Sequence, residues 1–251
     1  MYTLFVISVS NRFEKSDWIA IDGCKSGWIS CQIIEKEIVL SFVSSLHDYK
    51  SSEFEKIYID IPVTLPLSIN DYPRASDIKA KKLLGKYHSS IFYAPVLSWL
   101  ELPYQDINSL CEKHSKQKIS IQSFNLFSKI KEAVQFNNVS NNILKEVHPE
   151  LLFHYYINHN KKSKKLIEGQ YQRLEVISSL INRQISFNII SKAIKDLKQL
   201  FPSCICSIDD IIDALFLGCL IEKKHFFHFT DKSDIMINDE LSIRFNLFKL
   251  S

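Results

Sequence analysis

Acidic side chains at the ends of predicted strands are the residues of this sequence best suited to chemistry. Asp22 ends a short β-prone run that begins at Trp18, and a tight turn from Gly23 to Gly27 leads into a second strand. Open α/β sheets bind ligands beyond the carboxyl ends of central strands, where such an aspartate would lie. Alternatively, Asp22 only caps the turn, because Asp-Gly is a common hairpin signal.

Two further predicted strands end near a carboxylate. Asp60 lies late in the apolar run Lys56 to Pro62, where burying a charge is costly unless it is paired or binds a cation. It could instead face solvent on a half-exposed strand. Glu146 and His148 fall at the end of a short strand, and strand alternation places both on one face. His148 by itself would more often be a structural histidine than a ligand.

A last pair of acids opens the helix predicted from Ser207 to Glu222. Ser207 can cap this helix, and Asp210 complements the positive end of its dipole. Asp213 lies one turn later among apolar residues, and the helix dipole does not fully explain an acidic residue at that position.

Several carboxylates brought together cannot all stay ionised without a cation, and Mg²⁺ or Mn²⁺ prefers such oxygen ligands. A pair of ions about 4 Å apart can activate water and stabilise the leaving oxygen in phosphodiester cleavage.

Basic residues are predicted on the helix from Ala75 to Leu84, which Gly85 would close. Arg74, Asp77 and Lys81 share one of its faces. This face is either an ordinary solvated surface or a surface that contacts phosphate groups.

The hydrophobic pattern predicts an α/β domain over residues 1–251 with a helical insertion near residues 62–142. Short turns join the first three strands into an antiparallel meander. The predicted strands are Trp18–Asp22, Trp28–Ile34, Glu37–Val43, Lys56–Pro62 and Ile143–Glu150. Helices are predicted over Ala75–Leu84, Asp106–His114, Ser120–Gln135, Leu166–Ile181, Ser186–Leu200 and Ser207–Glu222. The final segment, Phe226 to Leu250, is strand-like in patches.

Composition is that of an ordinary globular protein, with 46% hydrophobic and 24% charged residues over 251 positions. A net charge of +3 is compatible with nucleic-acid binding but too small to argue for it. Six cysteines lack zinc-like spacing, and no apolar window is long enough to span a membrane, so we expect a reduced, cytoplasmic protein. The motifs GxSxG, GxxxxGK[ST] and GxGxxG are absent.

Blocks of sequence resemble a known family. IDGCKSGWI, IDIP followed by YPRASDIKAKKLLG, SSIFYAP, EVHPELLF and DDIIDAL occur in the order typical of domain-of-unknown-function family 429, a predicted ribonuclease H-like nuclease group. EGQYQRLEVI, with Gly169 and Arg173, resembles an internal helix start of that family. The likeness runs from about Trp18 to Leu220, and residues 1–17, outside it, could form a flexible extension.

The resemblance implies a ribonuclease H-like mixed five-stranded sheet, with strands one to three antiparallel and helices on both faces. Asp210 to Ala214 is also similar to the last helix of Holliday-junction resolvases. By that likeness the metal ligands, and with Glu146 the catalytic set, would be Asp22, Asp60, Asp210 and Asp213. Lys25, Arg74 and His148 would contact the substrate.

We therefore expect a nuclease that hydrolyses phosphodiester bonds in DNA or RNA with two Mg²⁺ or Mn²⁺ ions. One alternative is a nucleotide-binding phosphotransferase of the actin and sugar-kinase type, although that class needs two copies of the core and a second glycine-rich loop, and this chain has five glycines. Another is a binding module that kept the fold without catalysis. The sequence does not determine the oligomeric state.

Overall fold

A mixed six-stranded sheet forms the centre of the structure, a computed structural model that describes residues 7–157, 161–223, 227–229 and 235–237. Its strands are β1 (Ile7–Val9), β2 (Ser16–Cys24), β3 (Gly27–Ile34), β4 (Glu37–Val43), β5 (Phe54–Ile59) and β6 (Leu144–Glu146). They lie in the order β1-β4-β3-β2-β5-β6. The predicted antiparallel meander is confirmed as β2, β3 and β4, whereas β5 and β6 run parallel to β2.

The sixth strand comes from a part of the chain for which no strand was predicted. Ile7–Val9 pairs in parallel with β4, with Ile7 opposite Ile38. The predicted count of five strands is therefore wrong, and residues 7–9 and 16–17 of the predicted extension lie in strands. Residues 1–6 lie outside the described part of the chain. The run was too short to identify as a strand, because its partner strand is distant in sequence and supplies the stabilising hydrogen bonds.

Eight α-helices are present among the described residues. They are α1 (Ala75–Leu84), α2 (Tyr104–Lys113), α3 (Ile121–Phe124), α4 (Phe127–Val139), α5 (Pro149–Ile157), α6 (Ile167–Ile181), α7 (Phe187–Leu200) and α8 (Ile208–Glu222). Helix α1 ends at Gly85 as predicted, with φ +54°. Three short 3₁₀ segments and helices α1 to α4 connect β5 to β6, in the region where a helical insertion was predicted.

The helix predicted over Ser120–Gln135 is divided into α3 and α4. Ser120 caps α3 by accepting a hydrogen bond from the backbone N–H of Ser123 at 3.1 Å, and α3 ends after one turn. Ile121, the first residue of α3, has 54% of its surface exposed. The buried apolar residues Phe127 and Ile130 lie on α4.

Hydrophobic side chains cover both faces of the sheet. The alternation of β2 places Ile19 and Ile21 in the core beneath the α2–α4 insertion. Ala20 and Cys24 lie in the opposite core, which includes much of α8. Asp22 falls between them in the alternation, so the fold directs a carboxylate toward the α8 face.

The remaining described strands, β7 (Phe227–Phe229) and β8 (Ile235–Ile237), form a separate antiparallel pair. The other residues of the predicted Phe226–Leu250 segment lie outside the described residues. Within the described part of the chain, every helix is too short or too polar to cross a membrane.

Candidate functional site

The register of three parallel strands aligns acidic residues at one edge of the sheet. Ile21 of β2 pairs with Ile59 of β5, and Ile59 pairs with Glu146 of β6. Asp22 and Asp60 each follow a paired isoleucine by one residue, so they occupy adjacent positions at the carboxyl ends of neighbouring strands. This is the edge at which open α/β sheets bind ligands.

Helix α8 brings two more aspartates to the same place. Ser207 and Asp210 form a capping box, in which Asp210 Oδ2 accepts a hydrogen bond from the Ser207 N–H at 2.7 Å. Asp213 follows one turn later and is only 4% exposed. The helix packs across β2 and β3, so its first turns face the strand that carries Asp22.

A cleft of about 960 Å³ is lined by all four of these aspartates. Two other residues predicted at the site, His148 and the exposed Lys25, line it as well. The structure thus places Asp22, Asp60, Asp210 and Asp213 in the lining of one cleft. Their roles as metal ligands remain predictions.

The carboxylates in the cleft affect one another's ionisation. The pKa of Asp22 is raised well above its usual range, first by burial and then by the charges of Asp213, Asp60 and Asp210. Burial is also the main cause that raises the pKa of Asp213 to about 6. The pKa of Asp210 is raised by burial, although its hydrogen bonds with Ser207 act in the opposite direction. Ionisation of Asp22, Asp210 and Asp213 in the cleft is therefore disfavoured.

Lys164 supplies a positive charge inside this cleft. Its Nζ donates to Oδ2 of Asp213 at 3.0 Å, and this carboxylate is the main reason that the pKa of Lys164 is raised. The other oxygen, Asp213 Oδ1, is buried and has no hydrogen-bond partner among the described residues. Lys164 was not identified from the sequence, because it lies in a loop without periodicity whose position depends on tertiary contacts.

Glu146 belongs to a buried ion-pair network beside the cleft. The Arg74 guanidinium donates to both of its oxygens, at 2.6 and 2.9 Å, and also to Asp77 at 2.5 Å. Although burial acts in the opposite direction, Arg74 lowers the pKa of Glu146 to about 2. Asp77 in turn accepts a hydrogen bond from the backbone N–H of Ala94 at 2.9 Å.

Asp77, Glu146 and His148 offer ligand atoms that all lie within 4.8 Å of one another, and such a group could hold a metal ion. It is the only trio this compact among the described residues, so the four aspartates of the cleft are more widely spaced. The guanidinium of Arg74, however, already neutralises two of the three groups, and a metal ion would have to displace it. We therefore interpret this trio as structural.

Arg74 lies in this network and not in the lining of the cleft. Its donors are directed to Asp77, Glu146 and the backbone carbonyl of Thr64, which is 2.6 Å away. The donors of Arg74 are thus engaged by protein groups, and its contact with substrate phosphates stays a prediction. The ion pair itself had a signal in the sequence, since Asp77 lies three residues after Arg74, at the spacing of a helical ion pair.

His148 connects the network to the cleft. Its Nδ1 lies 3.4 Å from Oδ1 of Asp60, and its Nε2 lies 3.5 Å from Oε1 of Glu146. Although burial opposes protonation, hydrogen bonds with these two acids raise the pKa of His148 to about 9. His148 thus lies between the carboxylates of Asp60 and Glu146 and holds the side chain of Asp60 where the network meets the cleft.

A second set of charged side chains lines another part of the cleft. Glu150 Oε1 accepts a hydrogen bond from Arg173 at 2.6 Å, and Glu150 Oε2 accepts one from Lys161. Arg173 is 1% and Lys161 3% exposed. Sequence reasoning identified Arg173 only as part of a helix start, and Lys161 was not singled out.

Comparison with known proteins places the chain in a family. The model of the family described as "Protein of unknown function (DUF429)" matches residues 21–220, which is most of the chain, and the protein belongs to this family. Comparison with curated proteins and with solved structures gives no match.

Proposed function

We propose that the protein is a metal-dependent nuclease that hydrolyses phosphodiester bonds in nucleic acid, with Mg²⁺ or Mn²⁺ held by Asp22, Asp60, Asp210 and Asp213. The observation that carries this proposal is the Asp213 carboxylate. It is buried in a cleft that three other aspartates line, and its Oδ1 has no partner among the described residues. A buried carboxylate oxygen without a partner is costly, and binding of a cation removes that cost.

The order of strands supports a ribonuclease H-like arrangement, which is the finer form of the fold that we propose. Three antiparallel strands, β2 to β4, precede the parallel strands β5 and β6, and α8 packs on the side of the sheet that carries Asp22. Many functions share one fold, so the argument for chemistry rests on the cleft.

The side chains present fit a divalent cation. Carboxylate oxygens are the donors that Mg²⁺ and Mn²⁺ prefer, and Lys164 occupies Oδ2 of Asp213 while leaving Oδ1 available. Such ions, when bound, polarise a phosphoryl oxygen and lower the pKa of water. Because the four aspartates are spaced more widely than the 4.8 Å trio, part of the ligand shell would be water or substrate oxygens.

The remaining lining suits a polyanionic substrate. Seven lysine and arginine side chains line the cleft together with five carboxylates, and His148 adds a further positive charge. The predicted phosphate contact Lys25 is exposed at the cleft, where it can reach a backbone phosphate. We place this activity in the cytoplasm.

The experiment is a cleavage assay with end-labelled single-stranded DNA, duplex DNA, RNA and an RNA–DNA hybrid in Mn²⁺ or Mg²⁺. We expect cleavage of at least one substrate that EDTA abolishes, and Asp22→Asn should reduce the rate at least about a hundredfold. Asp17→Asn, an exposed change on the same strand, is the matched control. The proposal fails if no substrate is cut and Asp22→Asn leaves the Mn²⁺ affinity unchanged.

A further inference from the structure

We infer that Lys161, Lys164 and Arg173 form a subsite that binds a phosphate-class oxyanion next to the aspartates of the cleft. All three side chains line the same cleft. The inference rests on the proposed function, since it names the part of the substrate that this end of the cleft holds.

The first argument is the balance of buried charge. Glu150 forms ion pairs with both Arg173 and Lys161, so one carboxylate compensates two buried cations. The charge of Lys164 is paired separately with Asp213. Glu150 is therefore shared by two cationic side chains that are almost fully removed from solvent. Sharing one carboxylate leaves these buried cations with room for a further anionic partner, which an oxyanion entering the cleft could supply.

The second argument is an unused donor on Arg173. Its Nη2 donates to Glu150 and its Nη1 donates to the carbonyl of Gly169 at 3.1 Å, but Nε–H is buried and has no partner within the described residues. The guanidinium plane also lies over the ring of Phe153, with 4.8 Å from Cζ to the ring centroid. These contacts hold the group in place and leave the Nε–H without an acceptor among the described residues.

The third argument is that the chain is built to hold these cations in place. The loop from Lys161 to Lys165 is pressed against the first turn of α6, so closely that a Cβ on Gly169 would lie 2.1 Å from the carbonyl oxygen of Ser163. Glycine is required for that approach. Tyr87 donates to the carbonyl of Lys161 and fixes the loop from the other side. The charges are thus positioned before any ligand binds, which reduces the entropy lost on binding.

The chemistry of the donors selects the ligand class. A planar guanidinium and two ammonium groups offer several N–H donors, and phosphate oxygens accept such bonds with more charge than a single carboxylate provides. A phosphate bound here would lie beside Asp213, the partner of Lys164, and a divalent cation held by the aspartates would reduce the repulsion between the two anionic groups. The subsite and the aspartates therefore divide the cleft into a part for anions and a part for cations.

The test is calorimetric titration of the full-length protein with inorganic pyrophosphate in EDTA, so that no metal contributes. We expect binding by the wild type, and a loss of affinity of about tenfold or more in Arg173→Gln and in Lys164→Gln. Thermal unfolding checks that each variant is folded, and Lys164, which is partly exposed, keeps the test valid if Arg173→Gln is not folded. Lys192→Gln, an exposed change on α7, should bind as the wild type does. Absence of binding to the wild type, or equal affinities of Lys164→Gln and Lys192→Gln, would overturn the inference.

A second pair of measurements separates this inference from the proposed function. Asp213→Asn removes a negative charge beside Lys164, so it should bind pyrophosphate more tightly while losing Mn²⁺ affinity. Weaker pyrophosphate binding by this variant would count against the subsite, whereas unchanged Mn²⁺ binding would count against the metal site alone.

Competition with a labelled thymidine decanucleotide identifies the source of the phosphate. Displacement by pyrophosphate supports nucleic acid as that source, and pyrophosphate binding without any decanucleotide binding supports the subsite while contradicting the nuclease.

Discussion

Lys164 and Asp213 form an ion pair across the candidate site, with 3.0 Å between Nζ and Oδ2. The pair places a lysine ammonium where the sequence predicts divalent cations. It also uses only one oxygen of the carboxylate and leaves Oδ1 without a partner in the described part of the chain. The lysine therefore reduces the cost of burying Asp213 without occupying the whole carboxylate.

Removing this ammonium should strengthen metal binding. We expect Lys164→Met to bind Mn²⁺ about tenfold more tightly at pH 8, because a positive charge a few ångströms away opposes the ion by about 1 kcal/mol or more. Lys164→Arg keeps the charge and should stay near the wild-type affinity. Calorimetric titration measures both, and weaker binding by Lys164→Met would show that the lysine supports the ion by orienting Asp213.

Stability in the absence of metal should depend on pH through Asp213. Its folded pKa of about 6 lies above the usual value of 3.8, so the folded state binds the proton more tightly than the unfolded state. The carboxyl therefore costs no stability below about pH 4, and the cost grows as pH rises through 6.

Urea unfolding in EDTA measures this effect as the difference between wild type and Asp213→Asn. We expect the free energy of unfolding of the wild type to rise relative to the variant by about 2 kcal/mol between pH 7.5 and pH 4.5. A difference that is constant with pH, or that falls on acidification, would mean that Asp213 is not disfavoured as a carboxylate in the folded protein.

Arg74 should matter for stability and not for substrate affinity. The guanidinium of Arg74 contacts Asp77 and Glu146 at the same time. In Arg74→Lys an ammonium takes its place and cannot make the same set of contacts. We expect a loss of about 2–4 kcal/mol in the free energy of unfolding, as for other damaged buried ion pairs. Lys82→Arg, on the exposed side of the same helix, is the control and should change stability little.

Oligonucleotide affinity of the folded fraction separates the two roles of Arg74. We expect Arg74→Lys and the wild type to bind a labelled oligonucleotide equally well under conditions in which both are folded. A large loss of affinity together with unchanged stability would support Arg74 as a substrate contact.

Gly169 should be required for the position of the loop that carries Lys161 and Lys164. In Gly169→Ala the new methyl group would meet the carbonyl oxygen of Ser163 at 2.1 Å, so the loop must move away from α6. We expect destabilisation of about 1–3 kcal/mol and weaker pyrophosphate binding. Glu175→Ala, an exposed change on the same helix, should have neither effect. Wild-type stability of Gly169→Ala would show that the loop is not held as described.

The acids of the cleft could be predicted because their sequence signals are local. Asp22 and Asp60 follow β-prone runs, and Ser207 to Asp213 combines a helix cap with an acid inside an apolar surround. Parallel pairing then brings the first two together, and the packing of α8 on β2 adds the rest.

The basic residues were harder to predict because their roles depend on contacts between distant segments. Lys161 and Lys164 lie in an irregular loop, and their partners, Glu150 and Asp213, are 11 and 49 positions away. Arg74 had a local partner in Asp77, but its burial depends on Glu146, 72 positions further along. The first strand was missed for the same reason, since β4 supplies its hydrogen bonds.

The most direct test of the central claim uses isothermal titration calorimetry to measure the affinity of Mn²⁺ for the wild type and for two variants on helix α8. Asp213 faces the cleft, whereas Asp209 accepts a hydrogen bond from Gln170 at 3.2 Å and does not line it. We predict that Asp213→Asn loses Mn²⁺ affinity by at least about a hundredfold and that Asp209→Asn retains it. Equal affinities in all three proteins would contradict a cation site formed by the aspartates.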